Sequence, residues 1–174
     1  MQEEASRHKH WVIVGLGNPG ITYSQTRHNL GHMVVRSFGN EMSWPFKKEP
    51  KTNTEFARGT LKGANIHLVL PTTYMNDSGR AVQKYLSYYR LTAEDLIVVI
   101  DDAALPYGNL RIRLEGSSGG HNGLKSIEEH IGTQQYIRLR MGVGQPSAGQ
   151  DLADYVLERF TQEESALLDQ VVQK

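Results

Sequence analysis

Apolar positions along the chain follow two periods, and each change of period marks an element boundary. Trp11-Val-Ile-Val14 is a short apolar run closed by a glycine cluster, Gly15 to Gly20, the pattern of a buried strand entering a loop. Leu30, Met33, Val34 and Phe38 then recur at three- and four-residue spacing, which predicts a helix over roughly His28 to Met42. A Lys/Pro-rich loop is expected between Trp44 and Thr54, followed by strands over Glu55 to Leu61 and Ile66 to Leu70 joined at Lys62-Gly63. Asn76, Asp77 and Ser78 offer N-cap chemistry to a helix with the stripe Ala81, Val82, Tyr85, Leu86 and Tyr89, ending near Arg90.

The most apolar run, Leu96-Ile-Val-Val-Ile100, predicts a central strand buried on both faces, with Asp101 and Asp102 at its carboxyl end. Leu110, Ile112 and Leu114 alternate with Arg111, Arg113 and Glu115, so that strand should carry one wet, cationic face. Gly116 to Gly123 has the composition of a loop feeding a helix over about Leu124 to Ile131. Tyr136 to Gly142 reads as a strand and Gly144 to Gln150 as a loop, and two short amphipathic helices close the chain. Strands alternating with helices predict an α/β fold, and the hairpin-like pairs predict a mixed twisted sheet surrounded by helices. Residues 10–174 are expected to form one such domain behind a disordered lead-in at 1–9.

Composition narrows the chemistry. The chain of 174 residues has no cysteine, which excludes disulfide frameworks, thiolate zinc sites, iron–sulfur clusters and cysteine nucleophiles. Met1 to His10 lacks the apolar stretch of a secretory signal and no run approaches the ~18 apolar residues of a membrane span, so a cytoplasmic location is expected. Nineteen Lys and Arg balance nineteen Asp and Glu, but unevenly: residues 1–150 hold 17 basic and 13 acidic groups, and 151–174 hold 2 and 6. A polyanion would meet the body of the chain and avoid its tail.

Gly15-Leu-Gly-Asn-Pro-Gly20 matches the spacing of dinucleotide-binding glycines after a strand. Pro19 nevertheless removes a donor where a pyrophosphate would lie, and Glu41, the nearest acidic residue about 20 positions on, falls on the first helix instead of ending a second strand. The glycines fit better a tight turn that brings Asn18 into a cleft. His28 and His32 stand four apart on a helix, a metal-gripping spacing that Asp101 could complete, though no HExxH pattern accompanies them. His28 also opens its helix beside the polar loop Thr26 to Asn29, with Asp101 available to orient the imidazole of a general base. No GxSxG elbow is present. Asn18, Asn76 and Asn122 beside His28 and Asp101 point to amide donors that polarise a carbonyl while His28 activates water, chemistry suited to ester cleavage. Arg111 with Arg113, and Arg138 with Arg140, form alternating pairs that would read phosphates if both flank one cleft.

In order along the chain, five separated motifs resemble the bacterial peptidyl-tRNA hydrolase family over roughly residues 11–160. They are Gly15-Leu-Gly-Asn-Pro-Gly20 with Tyr23 and Thr26-Arg-His-Asn29, then Pro71-Thr-Thr-Tyr-Met-Asn76, then Asp101-Asp102 with Leu105-Pro106. Gly119-Gly-His-Asn-Gly-Leu-Lys125 and Arg138-Leu-Arg-Met-Gly-Val-Gly144 complete the set. The resemblance implies a monomer that acts without metal or cofactor and hydrolyses the ester between a peptide and the 3′ end of tRNA. It implies His28 as the base for water, Asp101 as the group that orients and charges it, and Asn18 and Asn76 as holding the substrate and the developing oxyanion. Asn122 would position peptide and water on a gating loop, while Tyr23, Met75 and His121 would line the cleft. Arg111, Arg113 and Arg140 would contact tRNA. The chain departs from the family's pattern in Ala104, where an aspartate is frequent, in arginines for the common lysines at 111 and 113, and in an acidic tail ending at Lys174. Two other readings remain: a non-hydrolytic RNA-processing factor that binds a protein partner on the same fold, and a zinc hydrolase built on His28 and His32.

Overall fold

The computed structural model describes residues 9–174, so residues 1–8 of the lead-in expected at 1–9 lie outside the described residues. Lys9 is tied down, its carbonyl accepting from Asn65 N at 2.9 Å and its ammonium lying 4.3 Å from the Trp11 ring centroid.

The apolar run at 96–100 occupies the centre of the sheet. Strand β5 (Leu96–Asp102) lies between β1 (His10–Gly15) and β7 (Ile137–Gly142), parallel to both. Parallel strands require crossovers, which cover both faces and demand apolar side chains on each. The crossovers are α1 (Leu30–Glu41), α2 (Ser78–Tyr88) and α3 (Asn122–Ile131), and α4 (Leu152–Val156) and α5 (Gln162–Val172) close the chain. The hairpin of β3 (Thr54–Leu61) and β4 (Ala64–Pro71) joins β1 through β4, again in parallel. Its turn holds Lys62 and Gly63 at φ +48° and +79°, as a two-residue hairpin loop requires. With the edge strands β2 (Lys47–Glu49) and β6 (Leu110–Arg113), the order is β2-β3-β4-β1-β5-β7-β6, a mixed seven-stranded sheet. Val98 and Ile100 pack with Leu86, Leu124 and Ile127 in one cluster, and Val99 packs with Leu30, Val35 and Met141 in another.

Two glycines set how α1 meets this sheet. A Cβ on Gly15 would stand 2.2 Å from the Gly31 carbonyl oxygen, and one on Gly31 would stand 2.3 Å from that of Val99. Backbone therefore packs on backbone, and the residues entering α1 are held against the carboxyl ends of β1 and β5. Close approach is what Gly15 serves; within the cluster Gly20 has a positive φ, +93°.

Three local expectations change. The segment expected as a loop contains β2, whose Lys47, Lys48 and Glu49 pair antiparallel with Phe56, Glu55 and Thr54; an edge strand of charged residues has no apolar alternation to reveal it. Strand β6 is exposed on both sides, with Leu110 and Ile112 at 40% and 65% exposure and Leu114, just past its end, at 72%, because it lies beyond β7 with no layer over it. Both helix entries begin with a 3₁₀ turn, Arg27–Asn29 and Met75–Asp77, and Asp77 caps α2 with no side-chain bond, its carboxylate pairing with Arg80 instead.

Two histidines, His67 buried and His32 half-buried, tie stability to pH. Burial, then the neighbouring Arg58 charge, lowers the His67 pKa to about 4, and burial, then Arg36, does the same for His32. His67 keeps a partner in the Tyr85 hydroxyl, 2.8 Å from Nδ1. The unfolded chain takes up these protons near pH 6.5 and the folded one does not until about 4, so stability present above 6.5 is lost as pH falls through that window. The melting temperature should therefore be lower at about pH 4.5 than at about pH 7, with a smaller drop in His67→Gln; equal melting temperatures would contradict this linkage.

Candidate active site

A carboxylate at the end of a central strand has to be paired, because β5 buries Asp101 to 3% exposure. Two imidazoles supply the pairing. His28 comes from the 3₁₀ turn that Gly31 presses onto the sheet, and its Nδ1 lies 3.0 Å from both Asp101 oxygens. His121 places Nε2 3.0 Å from Asp101 Oδ1, with the two rings 4.8 Å apart. His121 also caps α3, its Nδ1 accepting from Gly123 N at 3.1 Å and Leu124 N at 3.4 Å. That network assigns the His121 proton to Nε2, so Asp101 receives one N–H from each ring and the neutral His28 keeps a bare Nε2. Burial works against the Asp101 charge, but the charges that the His28 and His121 rings carry once protonated, together with their hydrogen bonds, outweigh it and hold the carboxyl well below the usual carboxylate range.

His28 lines a cavity of about 400 Å³ together with Asp102, Gly119, His121, Asn122, Arg140 and the α4 residues Leu152 and Val156. Ala104 is part of the same wall. Its amide donates to Asp102 Oδ1 at 2.8 Å, so the turn after β5 is braced from residue 102 and needs no carboxylate at 104.

Asn18 does not line this cavity; it lines a separate one of about 300 Å³ together with Asn29, the residue after His28, to which it is latched. Its amide N donates to Asn29 Oδ1 at 2.8 Å, Asn29 Nδ2 returns a bond to Asn18 O at 2.9 Å, and Asn18 Oδ1 accepts from Met75 N at 2.7 Å. With Oδ1 engaged, Nδ2 is the end of the amide left to donate. Met75 is buried, Asn76 is exposed on the turn after it, and Tyr23 packs edge-on to Tyr74 at 6.5 Å; these three line neither the His28 cavity nor the Asn18 one. Asn122 lies at the start of α3 beside His121.

The arginines separate into two roles. Arg111 and Arg113 are exposed on β6, and Arg140 stands opposite Arg111, half-buried, with Nη1 3.5 Å from Asp102 Oδ2. Arg138 is fully buried, which removes it from the phosphate-reading surface expected of both pairs. Its guanidinium donates to Ser117 O at 3.0 Å and Gln134 O at 2.7 Å and lies 4.3 Å from the Tyr136 ring centroid, anchoring the loop that carries His121. Strand alternation placed Arg138 beside Arg140, but the loop folded over it has no periodic signal. Arg27 was equally silent in sequence. It is buried on the Tyr155 ring at 4.0 Å and paired with Glu158 and Glu164, so part of the tail's negative charge is spent holding the chain end against the turn that bears His28.

The His28–His32 pairing that the zinc-hydrolase alternative would need does not form, since His32 lines a different cavity. The residues grouped for metal ligation are His28, Asp101 and His121, with ligand atoms within 4.8 Å of one another. Those atoms already bond each other at 3.0 Å, and the remaining His121 nitrogen is committed to α3.

Cutting the Arg138 anchor removes the donor from two part-buried carbonyls, Ser117 O and Gln134 O, and leaves the buried space of the guanidinium unfilled by charge. Arg138→Met should lower the unfolding free energy by ~2–5 kcal/mol in urea titrations, and a loss under ~0.5 kcal/mol would show that the loop does not depend on it.

Known proteins share this architecture. The family model for Peptidyl-tRNA hydrolase matches residues 12–174. A peptidyl-tRNA hydrolase of Geobacillus kaustophilus is 45% identical over 161 residues, covering 92% of this chain and 86% of the relative, and that of Bacillus subtilis is 44% identical over 163 residues, covering 94% and 86%. Among solved structures, a peptidyl-tRNA hydrolase from Acinetobacter baumannii aligns with a TM-score of 0.88 at 35% identity, covering 95% of this chain and 84% of that one.

Proposed function

Because the chain belongs to the peptidyl-tRNA hydrolase family, we propose that it cleaves the ester between a peptide and the 3′ end of tRNA with His28 as the general base. The carrying observation is the buried carboxylate 3.0 Å from His28 Nδ1, in an imidazole that lines an open cavity. Nε2 of His28 takes a proton from water as the water oxygen adds to the ester carbonyl. Asp101 offsets the positive charge that develops on the ring. The tetrahedral oxyanion takes an N–H from Asn18 Nδ2, and Asn76 and Asn122 hold the substrate amides. Collapse expels the tRNA 3′ oxygen, which recovers the proton from His28, leaving a free peptide acid and a 3′ hydroxyl with no covalent enzyme intermediate.

Of the cleft positions that the family pattern supplies, His121 lines the cavity beside His28, Met75 holds the Asn18 side chain through its amide, and Tyr23 stands outside against Tyr74. Arg111, Arg113 and Arg140 stand on one face of neighbouring strands and supply guanidinium contacts to tRNA phosphates. The protein acts as a monomer in the cytoplasm; among the described residues, no helix is long and apolar enough to cross a membrane.

In hydrolysis of N-acetylaminoacyl-tRNA, His28→Ala should lower turnover by at least ~100-fold while tRNA affinity stays near wild type. Wild-type turnover in that variant would contradict the assignment. A chelator should leave the wild-type rate unchanged; abolished activity would transfer the mechanism to a metal on His28, Asp101 and His121.

A further inference from the structure

Asn122 and Gly123 form the chain's single Asn-Gly pair, and Asn122 stands in the wall of the His28 cavity at the start of α3. Asparagine is a chemically labile residue, and a following glycine makes it more so, because no Cβ obstructs the next backbone nitrogen on its way to the Asn Cγ. Packing holds the glycine in place. A Cβ on Gly123 would stand 2.6 Å from Leu16 Cδ1 and 2.7 Å from Met75 Sδ, and both side chains are closed into the core. Gly123 is buried but Asn122 is exposed, so water and base reach the side-chain amide.

Two features hold the reaction back. Asn122 is the first residue of α3, and helical backbone turns the Gly123 nitrogen away from the Asn122 side chain. That first turn is held by His121, whose Nδ1 accepts from Gly123 N at 3.1 Å and Leu124 N at 3.4 Å, groups with no partner inside the helix. The nitrogen that would attack is the one the cap occupies.

The structure assigns Asn122 as a deamidation site whose rate is set by the His121 cap and whose conversion silences the cavity, the last clause resting on the hydrolase reading above. When the turn opens, the Gly123 nitrogen loses its proton to a solvent base and bonds to Asn122 Cγ. The Cγ–Nδ2 bond breaks, and the departing nitrogen takes up a proton and leaves as ammonia. Water then adds to either carbonyl of the five-membered imide, leaving an aspartate or an isoaspartate at position 122. The new carboxylate has no N–H to offer a substrate carbonyl, and it adds a negative charge to a cavity that already holds Asp101 and Asp102.

The experiment follows the tryptic peptide Leu114–Lys125, whose one asparagine is Asn122, by mass spectrometry during incubation at mildly alkaline pH. Three chains are compared, each with its fold verified by circular dichroism: wild type, His121→Ala, which removes the cap, and His121→Ser, which removes the imidazole but keeps an N-cap oxygen. Folded wild type should convert at least ~tenfold more slowly than wild type unfolded in urea. Folded His121→Ala should convert at least ~fivefold faster than folded wild type, the size of an N-cap loss, while His121→Ser stays within ~twofold of wild type. In urea all three should share one rate. Equal folded and unfolded rates for wild type, a His121→Ser rate matching His121→Ala, equal folded rates for all three, or the folded ratios persisting in urea would each overturn the guarded site. Turnover of N-acetylaminoacyl-tRNA by wild type should fall with the converted fraction, and full turnover by converted protein would overturn the silencing. Protein that shows the expected conversion rates yet never cleaves the ester would overturn the hydrolase reading and leave the deamidation site standing.

Discussion

A carboxylate buried at the end of a parallel strand is tolerable only with donors on it, and Asp101 has two imidazole N–H groups. That requirement joins three distant segments. The turn carrying His28 must reach the end of β5, which the absence of side chains at Gly15 and Gly31 permits. The loop before α3 must bring His121 to the other side, which the cap on Gly123 and Leu124 and the buried Arg138 beneath the loop enforce. Geometry that stabilises a buried charge and geometry that directs a bare imidazole nitrogen into a cavity are here the same geometry.

Charge is sorted around that centre. The exposed arginines of β6 remain free for a polyanion, while the two fully or nearly fully buried ones, Arg138 and Arg27, brace a loop and the chain end. The acidic tail does not simply repel the substrate, because Glu158 and Glu164 are engaged with Arg27. Ala104 costs the local turn nothing, since Asp102 supplies the bond from two residues earlier.

Much of this was legible in the sequence for stated reasons. Runs such as Leu96–Ile100 must be central because nothing in them tolerates water, and strand-terminal Asp101 follows directly from that placement. The helix stripe from Leu30 to Phe38 fixed the first crossover and brought His28 to its mouth. What stayed hidden lacks a local signature. β2 is held by backbone pairing of charged residues, and burial of Arg138 is decided by a glycine-rich loop closing over it. The four-residue spacing of His28 and His32 makes no shared site for a definite cause: the chain between them passes from a 3₁₀ turn into an α-helix, and the two rings line different cavities. The motif order carried the family; it did not carry His121 as a second donor to Asp101.

Water activation depends on which nitrogen of His28 carries the proton in the neutral ring. Nitrogen-15 NMR of the imidazoles in the resting protein reads this directly. Protonation at Nδ1 of His28 and at Nε2 of His121 is the predicted result; a proton on Nε2 of His28 would leave no lone pair facing the cavity and would contradict water activation by this residue.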